Sequence, residues 1–236
     1  METKVQDRLF WREYFQENSF KKLSHQVKWP ALNDKAQVEK LVGNYNFKGK
    51  VILSGCCGVG WFERLLLDRE PTIGEIIGLD LSPEAIKTAE AGKPYPGLRF
   101  IVGDMERLPF PDGYFDACLI VSGLHHIPSY QKVLGEARRV SRDLILIEPN
   151  ALNPIRRLVE WRMASKVVET SFYRWGLVRP LSLLGYSNIK ALSIVYVGWF
   201  PNWVPRKVMG LKRLIEGLPG VRDILGGHLI IARRAQ

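Results

Sequence analysis

The sequence predicts an α/β fold with a doubly wound, seven-stranded and mostly parallel sheet that has helices on both faces. Two observations support this prediction. Short runs rich in isoleucine, valine and leucine alternate along the chain with segments whose apolar residues follow helical spacing. The short runs are apolar throughout, which is typical of strands buried on both faces of a parallel sheet.

The predicted elements follow in chain order. The strands are Lys50–Ser54, Ile76–Asp80, Leu98–Val102, Phe115–Val121, Leu144–Glu148, Ile189–Val197 and His228–Arg233. The helices between the early strands are Trp61–Asp68, Pro83–Ala91 and Tyr130–Val140. Ser82 is expected to cap the second of these helices, because a serine before a first-turn proline is a helix-start signal.

Two regions lie outside this alternation. Residues 1–47 are predicted to be helical, with Val38, Leu41 and Val42 on one apolar face. Residues 151–227 are basic and aromatic, with helices predicted near Ile155–Val168 and Tyr173–Leu184 and an irregular stretch around Trp199–Pro205. The last two strands are separated by residues 198–227, which is too long for a hairpin turn and is often a functional insertion.

The charge is divided unevenly along the 236 residues. Lys and Arg number 34 and Asp and Glu number 24, which gives a net charge of +10. Residues 1–150 hold 20 basic and 20 acidic side chains, whereas residues 151–236 hold 14 basic and 4 acidic ones. The whole excess therefore falls in the second region, which indicates two functional zones.

Several protein classes are excluded by composition. No apolar stretch approaches the ~20 residues that span a bilayer. The polar first residues do not resemble a signal peptide. Three cysteines, two of them adjacent, form neither a disulfide framework nor a zinc motif, so a cytoplasmic, reduced protein without a metal is predicted.

A glycine-rich turn follows the first predicted strand. It reads Ser54-Gly55-Cys56-Cys57-Gly58-Val59-Gly60, and such a turn lets the backbone approach a ligand closely. Asp80 closes the second strand, where a carboxylate can accept hydrogen bonds from ribose hydroxyls. A dinucleotide site needs glycine or alanine at position 63, but Glu63 stands there. A nucleoside ligand without phosphates therefore fits better.

Further motifs follow strands three, four and five. They are Val102–Phe110 with the sequence VGDMERLPF, Asp112–Asp116, Leu124-His125-His126-Ile127-Pro128, Glu136–Val140 and Ile147–Asn150. As a set with the glycine turn and Asp80, they resemble the class I S-adenosylmethionine-dependent methyltransferases, in the type-11, UbiE-like, small-molecule branch. The resemblance covers roughly residues 45–150. It implies the Rossmann-like methyltransferase fold and S-adenosylmethionine as the cofactor.

The resemblance also implies residue roles. Gly58 and Gly60 would pass the backbone along the methionine part of the cofactor, and Asp80 would hold its ribose hydroxyls. Asp104 would accept from the adenine amino group, and the backbone N–H of Met105 would face the ring. The whole cofactor-binding set so implied is Ser54, Gly55, Cys57, Gly58, Gly60, Asp80, Leu81, Asp104, Met105, Glu106, Val121 and Ser122, of which the last two would lie beside the sulfonium.

The loop departs from the family pattern at two positions. Ser54 stands where the family carries an acidic residue, and Cys56 replaces the first glycine. A hydroxyl can hydrogen-bond the ammonium group of the cofactor but supplies no opposite charge. Cys56 and Cys57 are interpreted as small loop residues rather than nucleophiles, and Cys118 as a core residue.

His125 and His126 are the candidate catalytic residues. They follow strand four on the ligand side of the sheet, and a histidine can act as a general base for a hydroxyl nucleophile. The alternative is that one of them packs or caps the next helix. Glu148, Asn150 and Asn153 could line the acceptor site, or could cap the helix that begins near Pro154.

Aromatic and cationic residues cluster in both outer regions. Trp199, Trp203, Arg206 and Lys207 suit a membrane surface or a lipid-like acceptor, so peripheral membrane association is left open. The same composition could serve RNA, or could be a solvated basic face over buried tryptophans. The N-terminal aromatics could form a lid or pack as a helix, and they are Phe10, Trp11, Tyr14 and Phe15.

One functional hypothesis leads two others. It is methyl transfer from S-adenosylmethionine to a small or amphiphilic acceptor, such as a quinone, a lipid-linked intermediate or a natural product. A nucleic-acid methyltransferase is less favoured, because no Asn/Asp-Pro-Pro-aromatic tetrapeptide follows strand four. A non-catalytic cofactor-binding homologue is the third hypothesis. One domain is expected over residues 1–236, with a helical cover (1–47), a cofactor-binding core (48–150) and a substrate-side region (151–236); the oligomeric state is left open.

Overall fold

The computed structural model describes residues 28–163, 170–195 and 218–235. Their seven strands form one sheet in the order β3-β2-β1-β4-β5-β7-β6. The strands are β1 (Val51–Gly55), β2 (Glu75–Asp80), β3 (Leu98–Val102), β4 (Phe115–Val121), β5 (Ser141–Glu148), β6 (Tyr186–Val195) and β7 (Gly226–Arg234). Strands β1 to β5 are parallel, and β7 runs antiparallel to both of its neighbours. The predicted doubly wound, mostly parallel sheet is confirmed.

Seven α-helices are described, and they connect or cover these strands. They are α1 (Lys28–Val42), α2 (Trp61–Arg69), α3 (Pro83–Glu90), α4 (Tyr130–Val140), α5 (Pro154–Met163), α6 (Arg174–Leu183) and α7 (Pro219–Leu225). A short 3₁₀ turn covers Leu124–His126 between β4 and α4. The Ser82 hydroxyl accepts a hydrogen bond from the Ala85 N–H at 3.1 Å, which confirms the predicted cap of α3.

Both faces of the sheet are buried, as expected from strands that are apolar throughout. On one face Leu53 and Ile120 pack in a cluster with residues of α4 and α6, including Val133 and Leu177. On the other face alternate residues of the same strands, such as Ile52, pack against α1 and α2. Cys118 is fully buried in the first cluster, as predicted. Each fully buried large apolar side chain stabilises the fold by roughly 1.5–3 kcal/mol.

Three strands, β5, β6 and β7, begin two or three residues earlier than predicted. Strand β5 begins at Ser141 and not at Leu144, because Asp143 is buried there and accepts a hydrogen bond from the Tyr45 hydroxyl at 2.8 Å. Strand β6 begins at Tyr186 and not at Ile189, directly after Gly185, whose φ of 83° breaks the preceding helical conformation. Within the predicted insertion 198–227, α7 leads straight into β7 at Gly226.

Several predicted features lie outside the described residues. They are the N-terminal aromatics Phe10, Trp11, Tyr14 and Phe15, and the basic aromatic set Trp199, Trp203, Arg206 and Lys207. Among the described helices, none is long and apolar enough to cross a membrane.

Candidate functional site

The predicted site residues lie mainly around the carboxyl ends of β1 to β4. The strand order reverses between β1 and β4, because β1 is followed along the chain by β2 on one side while β4 lies on the other. In doubly wound sheets, ligands bind in the crevice at such a reversal. Four segments that follow or end these strands meet at this edge, and they are Ser54–Gly60, Asp80–Ser82, Gly103–Glu106 and Val121–Ser122.

The glycine-rich loop carries three left-handed residues. Cys56, Gly58 and Gly60 have φ values of 55°, 54° and 70°. This conformation costs an L-residue with a side chain about 1–2 kcal/mol, and glycine almost nothing. The geometry therefore explains why the family pattern has glycine at position 56. Gly123 makes room for the Cys56 side chain, since a Cβ on Gly123 would lie 2.4 Å from the Cβ of Cys56.

Asp80 holds the loop from the end of β2. Its Oδ2 accepts from the Gly58 N–H at 2.8 Å, and its Oδ1 accepts from the Ser82 N–H at 3.0 Å. Burial raises the pKa of this carboxyl, while the backbone N–H groups oppose that shift. Leu81 beside it is exposed. Each oxygen of Asp80 keeps a second lone pair, so this carboxylate can order the loop and still accept from a ligand.

In the turn that follows β3, some residues face the ligand side and others face the core. Asp104 Oδ1 accepts from the Glu106 N–H at 2.9 Å, and Glu106 Oε1 accepts from the Ser129 hydroxyl at 2.6 Å. The Met105 side chain is buried beneath the loop, where a Cβ on Gly55 would lie 2.4 Å from its sulfur. Only the backbone of Met105 is therefore placed to meet a ligand.

A buried serine–glutamate pair lies behind the loop. The Ser54 hydroxyl donates to Glu63 Oε1 at 2.5 Å, and Glu63 is 1% exposed. Its other oxygen, Oε2, is buried and has no hydrogen-bond partner among the described residues. Burial raises the pKa of Glu63 to about 7. Glu63 was missed as a site residue, although an acid in the first turn of α2 opposite a loop that lacks one was the signal for it.

At the end of β4, Val121 is half-buried and Ser122 is exposed. Ser122 has a φ of 50°, and its N–H donates to the Ile147 carbonyl of β5 at 2.7 Å. The turn at Ser122 thus redirects the chain away from the sheet, toward the Leu124–His126 segment.

A second buried carboxylate organises this turn. Glu148 Oε1 accepts from the N–H groups of Gly123 and Leu124, at 3.1 and 2.8 Å. Its Oε2 lies 2.7 Å from His125 Nδ1. Burial raises the pKa of Glu148 to about 7, and burial lowers the pKa of His125 to about 3. His125 is therefore neutral at physiological pH, and Glu148 satisfies the turn rather than capping a helix.

The two histidines differ in access. His125 is 5% exposed, which matches the packing alternative raised for one of the pair. His126 is half-buried, and its ring centre lies 3.9 Å from that of His125. His126 is thus the histidine of the pair that can reach a ligand, and its role in catalysis stays a prediction.

Of the two asparagines after β5, Asn153 adopts the capping alternative, whereas Asn150 forms a turn before the helix. Asn153 Oδ1 accepts from the Arg156 N–H at 3.2 Å, one turn into α5. Asn150 Oδ1 accepts from the Leu152 N–H at 3.0 Å, and its amide donates to the Asp223 carbonyl at 2.7 Å. Both side chains tie the β5 end to α5 and α7. Among the described residues, no group of His, Cys, Asp or Glu could hold a metal ion.

These features define a doubly wound α/β protein with a glycine-rich loop at its switch point, and comparison with known proteins specifies the family. A family model described as a methyltransferase domain matches residues 53–143. The phthiotriol/phenolphthiotriol dimycocerosates methyltransferase of Mycobacterium tuberculosis is 34% identical over 185 residues, which are 77% of this chain and 67% of that protein. The demethylmenaquinone methyltransferase of Lysinibacillus sphaericus is 39% identical over 93 residues, which are 39% of this chain and 40% of that protein. The matches to the demethylmenaquinone relatives span about two fifths of those proteins.

Solved structures agree on the fold. A putative methyltransferase of Haloferax volcanii, solved with a methyltransferase activator, has a TM-score of 0.70 at 19% identity over 98% of both chains. Magnesium protoporphyrin IX methyltransferase of Synechocystis, solved with bound SAH, has a TM-score of 0.63 at 15% identity over 97% of this chain and 100% of that chain. The chain belongs to the class I S-adenosylmethionine-dependent methyltransferases, in the type-11, UbiE-like branch.

Proposed function

We propose that this chain transfers the methyl group of S-adenosylmethionine to an amphiphilic acceptor of quinone or lipid type. The observation that carries the proposal is the left-handed glycine loop held by Asp80 at the sheet's switch point. The names of the relatives, a demethylmenaquinone methyltransferase and a dimycocerosates methyltransferase, support the acceptor class. When bound, the cofactor supplies a methyl group already activated by its sulfonium.

The chemistry of the site fits this cofactor. The loop brings bare backbone to the crevice at Gly58 and Gly60, where a side chain would be strained. Asp80 offers carboxylate lone pairs for hydroxyl donors, and Asp104 offers an acceptor for an amino group. We propose that the holding set is Ser54, Gly55, Cys57, Gly58, Gly60, Asp80, Leu81, Asp104, Met105, Glu106, Val121 and Ser122.

Glu63 completes this set by supplying the charge that Ser54 lacks. Its carboxylate reaches back from α2 to the Ser54 hydroxyl and leaves Oε2 without a partner in the described part of the chain. A buried carboxylate is costly unless it is fully paired. An ammonium group at the loop would both pair this oxygen and favour its ionised form. Glu63 is thus the proposed counter-ion of the methionyl ammonium.

His126 is the proposed general base where the acceptor carries a proton. Glu148 and His125 act on it indirectly, because Glu148 fixes the Gly123–Leu124 backbone and His125 packs against the His126 ring. The remaining task of the chain is to align the acceptor with the methyl group and exclude water.

The substrate-side region supports an amphiphilic acceptor. Trp161 on α5 is 75% exposed, and Trp175 and Leu183 on α6 are 68% and 81% exposed. Arginines interleave with them at positions 157, 174 and 179. We propose that residues 151–236 select the acceptor and that residues 48–150 hold the cofactor within one domain. Surface contact with a membrane through Trp199, Trp203, Arg206 and Lys207, which lie outside the described residues, belongs to this proposal.

Calorimetric titration tests the cofactor part of the proposal. S-adenosylmethionine should bind the unaltered chain, and Asp80→Ala should weaken binding more than tenfold, that is by about 1.4 kcal/mol or more. Glu90→Ala, which removes an exposed acid at the end of α3, should leave affinity unchanged. Equal affinity in all three proteins would contradict the assignment.

A turnover assay tests the acceptor class. Labelled methyl transfer should be found with demethylated quinones or lipid-linked phenols and not with RNA. Tight cofactor binding without transfer to any acceptor in a broad panel would instead identify a non-catalytic homologue.

A further inference from the structure

One arginine of α2 bridges the glycine-rich loop and the end of α3. The Arg64 guanidinium donates to the carbonyls of Val59 and Gly60 in the loop, at 3.2 and 2.7 Å. It also donates to the Ala89 carbonyl in the last turn of α3, and to the Lys93 carbonyl just beyond it at 2.9 Å. Four backbone carbonyls from two separate segments therefore share one planar donor group.

Two glycines leave the space that this guanidinium occupies. A Cβ on Gly60 would lie 2.6 Å from Arg64 Nη1, and a Cβ on Gly92 would lie 2.6 Å from Arg64 Nη2. The ring centre of Phe100 in β3 lies 5.2 Å from Arg64 Cζ, which is within the range of a cation–π contact. Glycine is therefore required at position 60 for two reasons, the left-handed φ of 70° and the arginine beside it.

The loop is held by two side chains of opposite charge. Asp80 accepts from the Gly58 N–H at 2.8 Å, whereas Arg64 donates to the next two carbonyls of the loop. Asp80 also accepts from the N–H of Ser82, the cap of α3, at 3.0 Å. The two charged side chains therefore connect the loop to the beginning and to the end of the same helix.

We propose that Arg64 is a positioning residue for the cofactor, because it fixes the backbone of residues 59 and 60 against α3 and so sets the shape of the crevice beside the loop. This inference rests on the proposed function, which places Gly58 and Gly60 along the methionine part of the cofactor. Burial raises the pKa of Glu63, and the charge of Arg64 opposes that rise, so this arginine also favours the ionised form of the proposed counter-ion. A lysine is a poor substitute, because all of its donors lie on a single nitrogen.

Hydrogen–deuterium exchange of the chain without ligand tests the bridge itself. Arg64→Lys and Arg64→Gln should each speed exchange about fivefold or more in the loop and in residues 89–95, because both segments lose an anchor. The hydrogen-bonded N–H groups of Gly60 and Gly92 report on the two segments. Exchange in the central strand β4 should stay unchanged. Unchanged exchange in either segment, or a uniform increase that includes β4, would overturn the proposal.

Calorimetric titration with two ligands tests the link to the cofactor. S-adenosylhomocysteine carries the amino-acid part, whereas 5′-methylthioadenosine keeps the nucleoside and lacks that part. Both Arg64 variants should weaken binding of S-adenosylhomocysteine about tenfold and change that of 5′-methylthioadenosine by less than about twofold. Equal losses for the two ligands would overturn the proposal, since they would indicate a general structural role. Full affinity in Arg64→Lys would also overturn it, since the charge alone would then suffice.

Arg69→Gln is the matched control. Arg69 lies on the same helix, is exposed and pairs with Glu39 at 2.7 Å. The variant removes the same charge and should change neither the exchange of the two segments nor the affinity for either ligand. Failure of the unaltered chain to bind S-adenosylhomocysteine would contradict the proposed function and the cofactor role of Arg64 together. Binding by the unaltered chain with equal binding by both Arg64 variants would contradict the role of Arg64 alone.

Discussion

The two ends of the switch-point crevice each contain a buried glutamate, and the two are connected very differently. Glu148 beside β4 accepts two backbone N–H groups and contacts His125, so both of its oxygens have partners. Glu63 behind the glycine loop has one partner, the Ser54 hydroxyl, and a second oxygen with none among the described residues. Burial raises the pKa of both to about 7. The two glutamates therefore share a raised pKa but differ in role: Glu148 is a structural carboxylate, and Glu63 is suited to bind a ligand.

Of the changes that distinguish Glu148 from Glu63, the largest is expected in the stability of a Glu148 variant. Glu148→Ala leaves the Gly123 and Leu124 N–H groups and His125 without their acceptor, which should lower the free energy of unfolding by about 3–5 kcal/mol. Urea denaturation measures this, with Glu90→Ala expected to stay within about 0.5 kcal/mol of the unaltered chain. A loss below about 1 kcal/mol would mean that Glu148 does not hold the turn.

The contact between Gly123 in the β4 turn and Cys56 in the glycine-rich loop should have the next largest effect on stability. Gly123→Ala would place a Cβ 2.4 Å from the Cβ of Cys56, and such overpacking costs about 1–3 kcal/mol. Adding Cys56→Gly should recover most of that loss, which a double-mutant cycle measures as a coupling. Gly135→Ala in α4, where a new Cβ meets nothing within 4 Å, is the control and should stabilise the chain by up to ~1 kcal/mol. If the double variant loses the sum of the stability changes of the two single variants, the proposed contact is contradicted.

Substitution of Glu63 should lower the affinity for the cofactor without lowering the stability of the fold. Glu63→Gln keeps the shape but removes the charge, so S-adenosylmethionine should bind about tenfold more weakly, a loss of about 1.4 kcal/mol. The folded-state pKa is raised from 4.5 to about 7, so ionisation of Glu63 costs stability as pH rises through that range. At pH 8 the variant should thus be at least as stable as the unaltered chain. Clear destabilisation without weaker binding would make Glu63 structural, like Glu148.

The smallest effect is a pH dependence of cofactor affinity. Because only ionised Glu63 attracts an ammonium, affinity should rise several-fold between pH 6 and pH 7.5, as the carboxyl with its pKa of about 7 loses its proton. The same titrations on Glu63→Gln should give a flatter profile. Parallel profiles would assign the pH dependence to another group.

The sequence was sufficient for the sheet and for the visible motifs of the loop. Strand β2 and Asp80 could be predicted because apolar runs and strand-end acids are local patterns. The hydrogen bond from the Gly58 N–H to Asp80 is a finding of the structure alone. Glu63 could not be assigned in this way. The sequence pattern indicates only that it obstructs a pyrophosphate, because its partner Ser54 lies nine residues earlier, at the end of β1 and on the other side of the glycine-rich loop.

The misplaced start of β5 has a similar cause. Arg142 and Asp143 are charged, so local polarity argued against a strand there. Asp143 is nevertheless buried, because the Tyr45 hydroxyl, 98 residues away in the chain, donates to it. A contact at that separation has no local signature. His125 and His126 are adjacent and chemically identical in sequence, and only the fold distinguishes the buried ring from the accessible one.

The strand order has a consequence for how this chain reaches its native state. Strand β7 follows β6 in the chain but lies between β5 and β6, and among the described strands β6 pairs with β7 alone. During synthesis, the β5 edge therefore stays open and β6 has no sheet to join until residues 226–234 have left the ribosome. A nascent chain stalled before that point would expose two unpaired edges rich in apolar residues, a state prone to aggregation and a natural target for chaperones.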